Sequence, residues 1–219
     1  MRTIIIGEIG NNWQSKKDIL ASIEFLRSRG CLIKMQSHQG EFEHLKDYVI
    51  PKDWMVEWKA NDIFYSVFTR GMVDFLEKFV DPKFYKIASR SYTDTKLIHN
   101  VIKTHKKIFV SVPYPKNIHF IGNRNKEILK AMLFHCVPEY PAVNAHLEVF
   151  DTIYRYDGFS DHTTSTIVPA LAVMKGAKII EKHFKVRDMN TPDSPHSLLP
   201  EQWDMMIENI NEAERNMEV

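Results

Sequence analysis

Residues 178–184, KIIEKHF, form an apolar strand-like run that ends on a histidine flanked by charged residues, and GFSDHT at 158–163 has the same form about one βα unit upstream. Two histidines placed at the ends of neighbouring strands would face a common cavity at one end of a sheet. What kind of sheet that is follows from the rest of the chain.

Short β-branched or aromatic runs recur along the whole length: TIIIGE (3–8), LIKMQ (32–36), IFYSVF (63–68), FYKIAS (84–89), KIFVSV (107–112), AMLFHC (131–136), YDGFS (156–160) and KIIEKHF itself. Between them lie helical patterns at 15–30, 70–80, 94–105, 145–155 and 164–177, with a last one at 200–217, and Gly30 is a natural C-terminal cap for the first. The segment 37–62 is the least regular and is expected to carry a loop in place of a helix. Eight strands alternating with helices predict an α/β chain folded as one (β/α)₈ barrel over residues 1–219.

Bulk properties bound the function. The 219 residues are 44% hydrophobic, enough for a full core, and 29 Lys plus Arg against 28 Asp plus Glu leave no global field to draw nucleic acid or an anionic membrane. Any anionic ligand must be held by local groups. Cys31 and Cys136 belong to no metal-binding spacing, so buried reduced thiols are expected. The opening apolar run is too short for a signal segment and no later run reaches the length of a membrane span, which places the chain in the cytoplasm by default.

In a barrel of this kind active sites gather at the C-terminal strand ends. There stand Glu8, Lys34 and Gln36, Ser66, Lys86 and Ser89, Ser111, His135 and Tyr140, Ser160 and His162, and Glu181 and His183. Lysines inside apolar strands are costly unless an anion meets them, so Lys34 and Lys86 either converge on a phosphate or carboxylate or pair with Glu8 and Glu181. His162 and His183 either hold a divalent ion with open positions or are satisfied structural residues. Asp161 and Glu181 flank them and are placed to orient the imidazoles. His38, His44, His99, His105, His119, His146 and His196 lack such placement and read as mostly solvated, while Trp54 and Trp58 at helical spacing read as packing.

The ordered series GEIGNN, IKMQ, FYSVF, FYKIAS, IFVSV, LFHCVPEYP, GFSDHT, GAKIIEKHF and TPD closely resembles the sialic acid synthase family, which includes N-acetylneuraminate, legionaminate and pseudaminate synthases. GFSDHT with IIEKHF is the specific pair. The resemblance implies a transferase that condenses phosphoenolpyruvate with an N-acetylated aldose to give a nine-carbon 2-keto-3-deoxy acid and phosphate. It implies that His162 and His183 hold the ion, Mn²⁺ or Mg²⁺, and that Lys34, Lys86, Ser89, Ser111 and Ser160 hold phosphoenolpyruvate. Glu8, Gln36, Tyr140 and Asp193 would face the sugar, with Glu8 a candidate to position the attacking water.

The departures bear on the same site. Trp13, Gln14 and Ser15 follow Asn12 where the family has His-Asn-Gly, and Val67 stands in place of a hydroxyl residue. Arg90 replaces a small glycine, where it would block the cavity or add an anion contact. Pro138 stands where an amide often meets the sugar, and Thr191 precedes Pro192 and Asp193 where the family has glycine. The family's C-terminal antifreeze-like domain is expected to be missing after the last barrel helix; the resemblance implies a homodimer, and a separate small partner subunit is the reading in which that domain is supplied by another polypeptide. The alternative reading is a catalytically altered homologue that binds a sugar or anion or serves as a partner subunit.

Overall fold

The computed structural model describes residues 2–115, 131–151 and 156–217, so His119 and the end of the 145–155 pattern lie outside the described residues. All eight expected strands are present: β1 (Ile4–Glu8), β2 (Leu32–Gln36), β3 (Ile63–Ser66), β4 (Phe84–Ile87), β5 (Lys107–Pro113), β6 (Met132–Cys136), β7 (Gly158–Asp161) and β8 (Ile179–His183). Each pairs in parallel with its sequence neighbour, and β8 returns to β1 with Glu8 opposite His183, which closes the barrel. Strands β3 and β4 stop two residues earlier than their apolar runs predict. After β4 the chain turns at once into a short 3₁₀ segment, Ser89–Ser91.

The described helices are α1 (Lys16–Ser28), α2 (Lys52–Glu57), α3 (Arg70–Phe79), α4 (Thr95–Ile102), α5 (Val168–Met174) and α6 (Pro200–Met217). Three start on side-chain caps that satisfy otherwise orphaned amides. The Ser15 Oγ accepts from Asp18 N, the Thr69 Oγ1 from Met72 N, and the Asp94 carboxylate from Lys96 N and Leu97 N. Gly30 takes φ +70° just past α1, a conformation open to glycine without strain.

The segment 37–62 corrects the sequence reading. It holds a 3₁₀ turn, Glu43–Tyr48, and the helix α2, which starts directly after Pro51 and buries Met55. Trp54 on α2 and Trp58 just after it pack at 5.3 Å, and Trp54 meets Trp13 at 6.2 Å, so the aromatic pair serves packing as expected. In the 145–155 pattern the described part is a 3₁₀ turn, Leu147–Asp151.

Two cores result. The larger lies between strands and helices, and the smaller fills the barrel with Ile6, Phe64, Phe109, Phe134 and Ile179. The phenylalanines interlock, Phe84 stacked on Phe109 at 5.3 Å and Phe134 tilted on Phe109 at the same spacing. This plug is the floor on which the site is built.

Gly158 makes room for it, because a Cβ there would lie 2.7 Å from the Ile179 carbonyl oxygen and 3.0 Å from the Phe134 ring. Gly158→Ala should therefore cost about 1–3 kcal/mol in urea unfolding through overpacking. An unchanged midpoint would show that Phe134 is not held where the barrel needs it.

Candidate active site

Side chains alternate between the inside and the outside of the barrel, so the residue types at every second position decide what the cavity contains. Above the phenylalanine floor the inward positions carry Lys34, Lys86, Ser111, Ser160 and Glu181, and above those Gln36, Ser66, Cys136, His162 and His183. They surround a cavity of about 220 Å³.

The lower tier is one ionic cluster. Lys34 Nζ lies 2.8 Å from Glu8 Oε2 and 2.8 Å from Glu181 Oε1. Lys86 Nζ donates to Glu181 Oε2 and, at 3.2 Å, to Ser160 Oγ, while Ser160 and Ser111 share a hydroxyl bond of 2.8 Å. Lys86 also sits 4.8 Å above the Phe134 ring. The lysines are only 5% and 1% exposed, so Glu181 is the counter-ion that makes both tolerable in the barrel. Burial pushes the Glu181 carboxyl up, but Lys34 and Lys86 outweigh it and hold the group well below the usual carboxylate range. Burial likewise pushes Lys34 down, to about 8, against the attraction of Glu181.

Glu8 lies apart from the lining. It is fully buried in the wall and does not line the cavity: Oε1 accepts from Gly10 N at 2.6 Å and from Gln36 Nε2, and Oε2 meets Lys34. It pairs with Lys34 from within the wall beside the cavity.

The upper tier is histidine-rich. His162 Nδ1 is 2.7 Å from the Val137 carbonyl, so Nδ1 carries the proton and Nε2 the lone pair. Burial and the neighbouring His183 push the His162 ring down to about 3, which keeps it neutral. The loop that places it is locked from outside the barrel, where Lys182 Nζ binds Asp161 Oδ2 at 2.6 Å and the Thr163 carbonyl, and Asp161 Oδ1 accepts from Thr163 N. Asp161 therefore fixes the loop rather than an imidazole. His183 Nδ1 stands 3.4 Å from Asp193 Oδ2, outside hydrogen-bond geometry, and neither nitrogen of His196 has a hydrogen-bond partner. Buried imidazole nitrogens without partners beside a carboxylate fit a divalent ion.

Ten of the eleven site residues expected from the sequence line this one cavity: Lys34, Gln36, Lys86, Ser89, Ser111, Tyr140, Ser160, His162, His183 and Asp193. Glu8 is the exception, and His135 also turns outward, bonded to the Ala145 carbonyl and stacked on Phe159. Val67 faces the outer core and Ser66 the cavity, so the missing hydroxyl at Val67 takes nothing from the lining. Arg90 stands at the rim, its guanidinium 4.7 Å over the Phe42 ring, and leaves the cavity open below it. Cys136 lines the cavity as a free thiol whose burial pushes it up to about 12, so it is inert at neutral pH.

Two histidines expected in solvent are buried. His38 Nε2 lies 3.2 Å from Asn11 Oδ1, and His196 is 1% exposed above the site. The sequence reading also gave Glu181 too small a part, although its alternation with Ile179 and His183 already places it inward. His196 left no such signal, because it arrives on a loop that folds back over the strand ends.

The model of the NeuB family matches residues 26–219. The chain belongs to this family. It is 32% identical to the pseudaminic acid synthase of Helicobacter pylori over 95% of this chain and 67% of that protein, and 29% identical to the N,N'-diacetyllegionaminic acid synthase of Campylobacter jejuni over 73% and 52%. The crystal structure of an N-acetylneuraminic acid (sialic acid) synthetase from Leptospira borgpetersenii superposes with a TM-score of 0.86 at 23% identity, covering 98% of this chain and 84% of that one, and shows the same fold. This NeuB-family chain spans about half to two thirds of the length of the curated relatives it matches. Among the described residues no helix is long and apolar enough to cross a membrane.

Proposed function

We propose that this chain condenses phosphoenolpyruvate with an N-acetylated aldose, releasing phosphate and a nine-carbon 2-keto-3-deoxy acid of the sialic-acid type, with residues 1–219 acting as one synthase domain. The observation that carries the reading is the buried Lys34–Glu181–Lys86 cluster beneath the histidines. Each ammonium has three donors, and the two partners of each leave one N–H for a ligand. The hydroxyls of Ser111 and Ser160 extend that surface, and Arg90 adds a cation at the rim. Relatives named pseudaminic and legionaminic acid synthases support the same substrate class.

In this reaction the methylene carbon of phosphoenolpyruvate attacks the aldehyde carbon and a C–C bond forms. Water adds to C2 of the former phosphoenolpyruvate, the bond from C2 to the phosphate oxygen breaks, and a ketone remains. One proton of the water goes to the aldehyde oxygen, which ends as a hydroxyl, and the other leaves with the phosphate as C2 becomes the ketone, so atoms and charge balance. A divalent ion would supply Lewis-acid polarisation of the aldehyde oxygen. His162 and His183, whose rings line the cavity with centroids 5.5 Å apart, are the residues that would hold it.

The chain's own part is binding and exclusion of water. Lys34 and Lys86 neutralise the phosphate and carboxylate, Glu181 holds the two ammoniums at a fixed spacing, and the phenylalanine floor keeps the dielectric low beneath them. Gln36, Ser89, Tyr140 and Asp193 line the remaining space for the sugar.

Calorimetric titration of metal-stripped protein with phosphoenolpyruvate, with and without Mn²⁺, tests the reading before the sugar is known. Saturable binding, followed by phosphate release with one of a panel of N-acetylated aldoses, is the expected outcome. Absence of binding under both conditions would leave a homologue whose lysines serve only Glu8 and Glu181.

A further inference from the structure

Among the described residues, the lysine and arginine side chains that line the cavity are Lys34, Lys86 and Arg90. Lys34 and Lys86 share the carboxylates of Glu8 and Glu181. Arg90 differs: among the described residues no carboxylate lies within ion-pair distance of it, and none of its N–H groups has a hydrogen-bond acceptor. The acidic residues of the adjoining segments are engaged elsewhere. Glu41 accepts from Gln39 N, Glu43 pairs with Lys46 at 2.8 Å, and Asp94 caps α4.

The guanidinium is nonetheless held in place. It lies 4.7 Å over the Phe42 ring, and Phe42 meets Phe68 edge-on at 5.0 Å and His38 at 6.0 Å. Phe68 lines the cavity and His38 is fully buried, so this aromatic shelf is anchored to the barrel. An arginine stacked on a ring face keeps its planar fork of donors available to a ligand.

The barrel decides which part of a ligand meets that fork. In the closed sheet β4 stands four strands from β8, on the opposite side of the mouth, and Arg90 lies just beyond the end of β4. His183 ends β8, and Asp193 Oδ2 lies 3.4 Å from its Nδ1. With the aldehyde at the histidines and phosphoenolpyruvate on the lysine tier below, the remaining carbons of the acceptor run across the mouth toward Arg90. Asp193 repels an anionic group from the β8 side and Arg90 attracts it to the β4 side, so the charges favour a single orientation.

We propose that Arg90 is a specificity-determining residue that binds an acidic group, phosphate or carboxylate, on the end of the acceptor sugar remote from its aldehyde. The acceptor is then an acidic N-acetylated aldose rather than a neutral one. A guanidinium holds either group through two parallel N–H···O bonds. The orientation rests on the synthase reading above, whereas the attraction for an acidic sugar needs only the unpaired cation at the mouth.

The test compares N-acetylmannosamine with its 6-phosphate and with N-acetylmannosaminuronic acid, whose C6 is a carboxylate. In the wild type one of the acidic forms should exceed the neutral sugar in kcat/KM, read as phosphate release, by about tenfold or more, and the better of the two separates phosphate from carboxylate. In Arg90→Gln this acidic-to-neutral ratio should fall by about tenfold or more, and Arg90→Lys should restore part of it. Calorimetric titration with the same three sugars reads the ratio without turnover, and thermal melts confirm that the variants are folded. A wild-type ratio near one, or a ratio that survives in a folded Arg90→Gln, would overturn the proposal. So would a loss of phosphoenolpyruvate affinity in Arg90→Gln at an unchanged ratio, which would assign the guanidinium to phosphoenolpyruvate instead. Phosphoenolpyruvate binding and turnover without acidic preference sink the subsite alone. Arg90-dependent binding of an acidic sugar by protein that does not bind phosphoenolpyruvate sinks the synthase reading while the subsite stands.

Discussion

Replacing Glu181 by leucine should lower the free energy of unfolding by about 3–5 kcal/mol, because removing one member of a buried ionic cluster leaves its partners charged in a medium that solvates them poorly. Lys34 would keep Glu8, but Lys86 would keep only the Ser160 hydroxyl and the Phe134 ring face. The uncompensated charge therefore falls mainly on Lys86. It follows that Lys86→Met combined with Glu181→Leu should recover more than half of the loss, a coupling that a double-mutant cycle in urea measures directly. A single variant within 1 kcal/mol of wild type would mean that water reaches the lysines and that the cluster is not the buried site described above.

The same cluster sets an acid limit. Glu181 is held below its ordinary value of 4.5, so the stability it contributes is fully present above pH 4.5 and is lost progressively as the pH falls toward the depressed value. The Glu181→Leu protein should show a flatter stability curve below pH 4.5 than the wild type.

The barrel was readable because its signals are local. Strand alternation, helix caps at Ser15, Thr69 and Asp94, and Gly30 after α1 each act over a few residues, and they agree with one another. Segment 37–62 was misread because a six-residue helix carries too little periodicity to stand out, and it is defined by Pro51 before it and by the burial of Met55.

The site was legible wherever a side chain sits on a strand. Lys34, Lys86, Ser111, Ser160 and His183 lie at positions whose inward direction follows from the two-residue period. The pairing partner of each lysine was not legible, since whether Glu181 or a ligand satisfies Lys86 depends on distances across the barrel. Long-range geometry also hid His196, which reaches the site by a loop rather than by register. Glu8 stands at the expected end of β1, and what local pattern does not show is that Gly10 N bonds its Oε1 while Lys34 pairs with its Oε2 inside the wall.

Phosphoenolpyruvate affinity should fall by about ten- to a hundredfold in Lys86→Met, since a charge-assisted hydrogen bond contributes about 1.5–3 kcal/mol and every 1.4 kcal/mol is a factor of ten. Lys34 adds a pH signature that a structural lysine would not give. Its ammonium is pushed down to about 8 by burial, so above pH 8 the ligand-free protein loses that charge. An anion binds the protonated form more tightly, and affinity should therefore drop by about tenfold per pH unit above pH 8, until the raised value in the complex is passed. The ligand itself does not produce this slope, because a phosphate monoester has its second pKa near about 6 and is fully ionised before the limb begins. In Lys34→Met the alkaline limb should vanish, leaving an affinity already reduced at pH 7 and level to pH 9.5. Calorimetry across that range decides the matter. A level wild-type profile would place Lys34 outside the anion site and make it only the counter-ion of Glu8 and Glu181, and a limb that survives in Lys34→Met would assign the titration to another group.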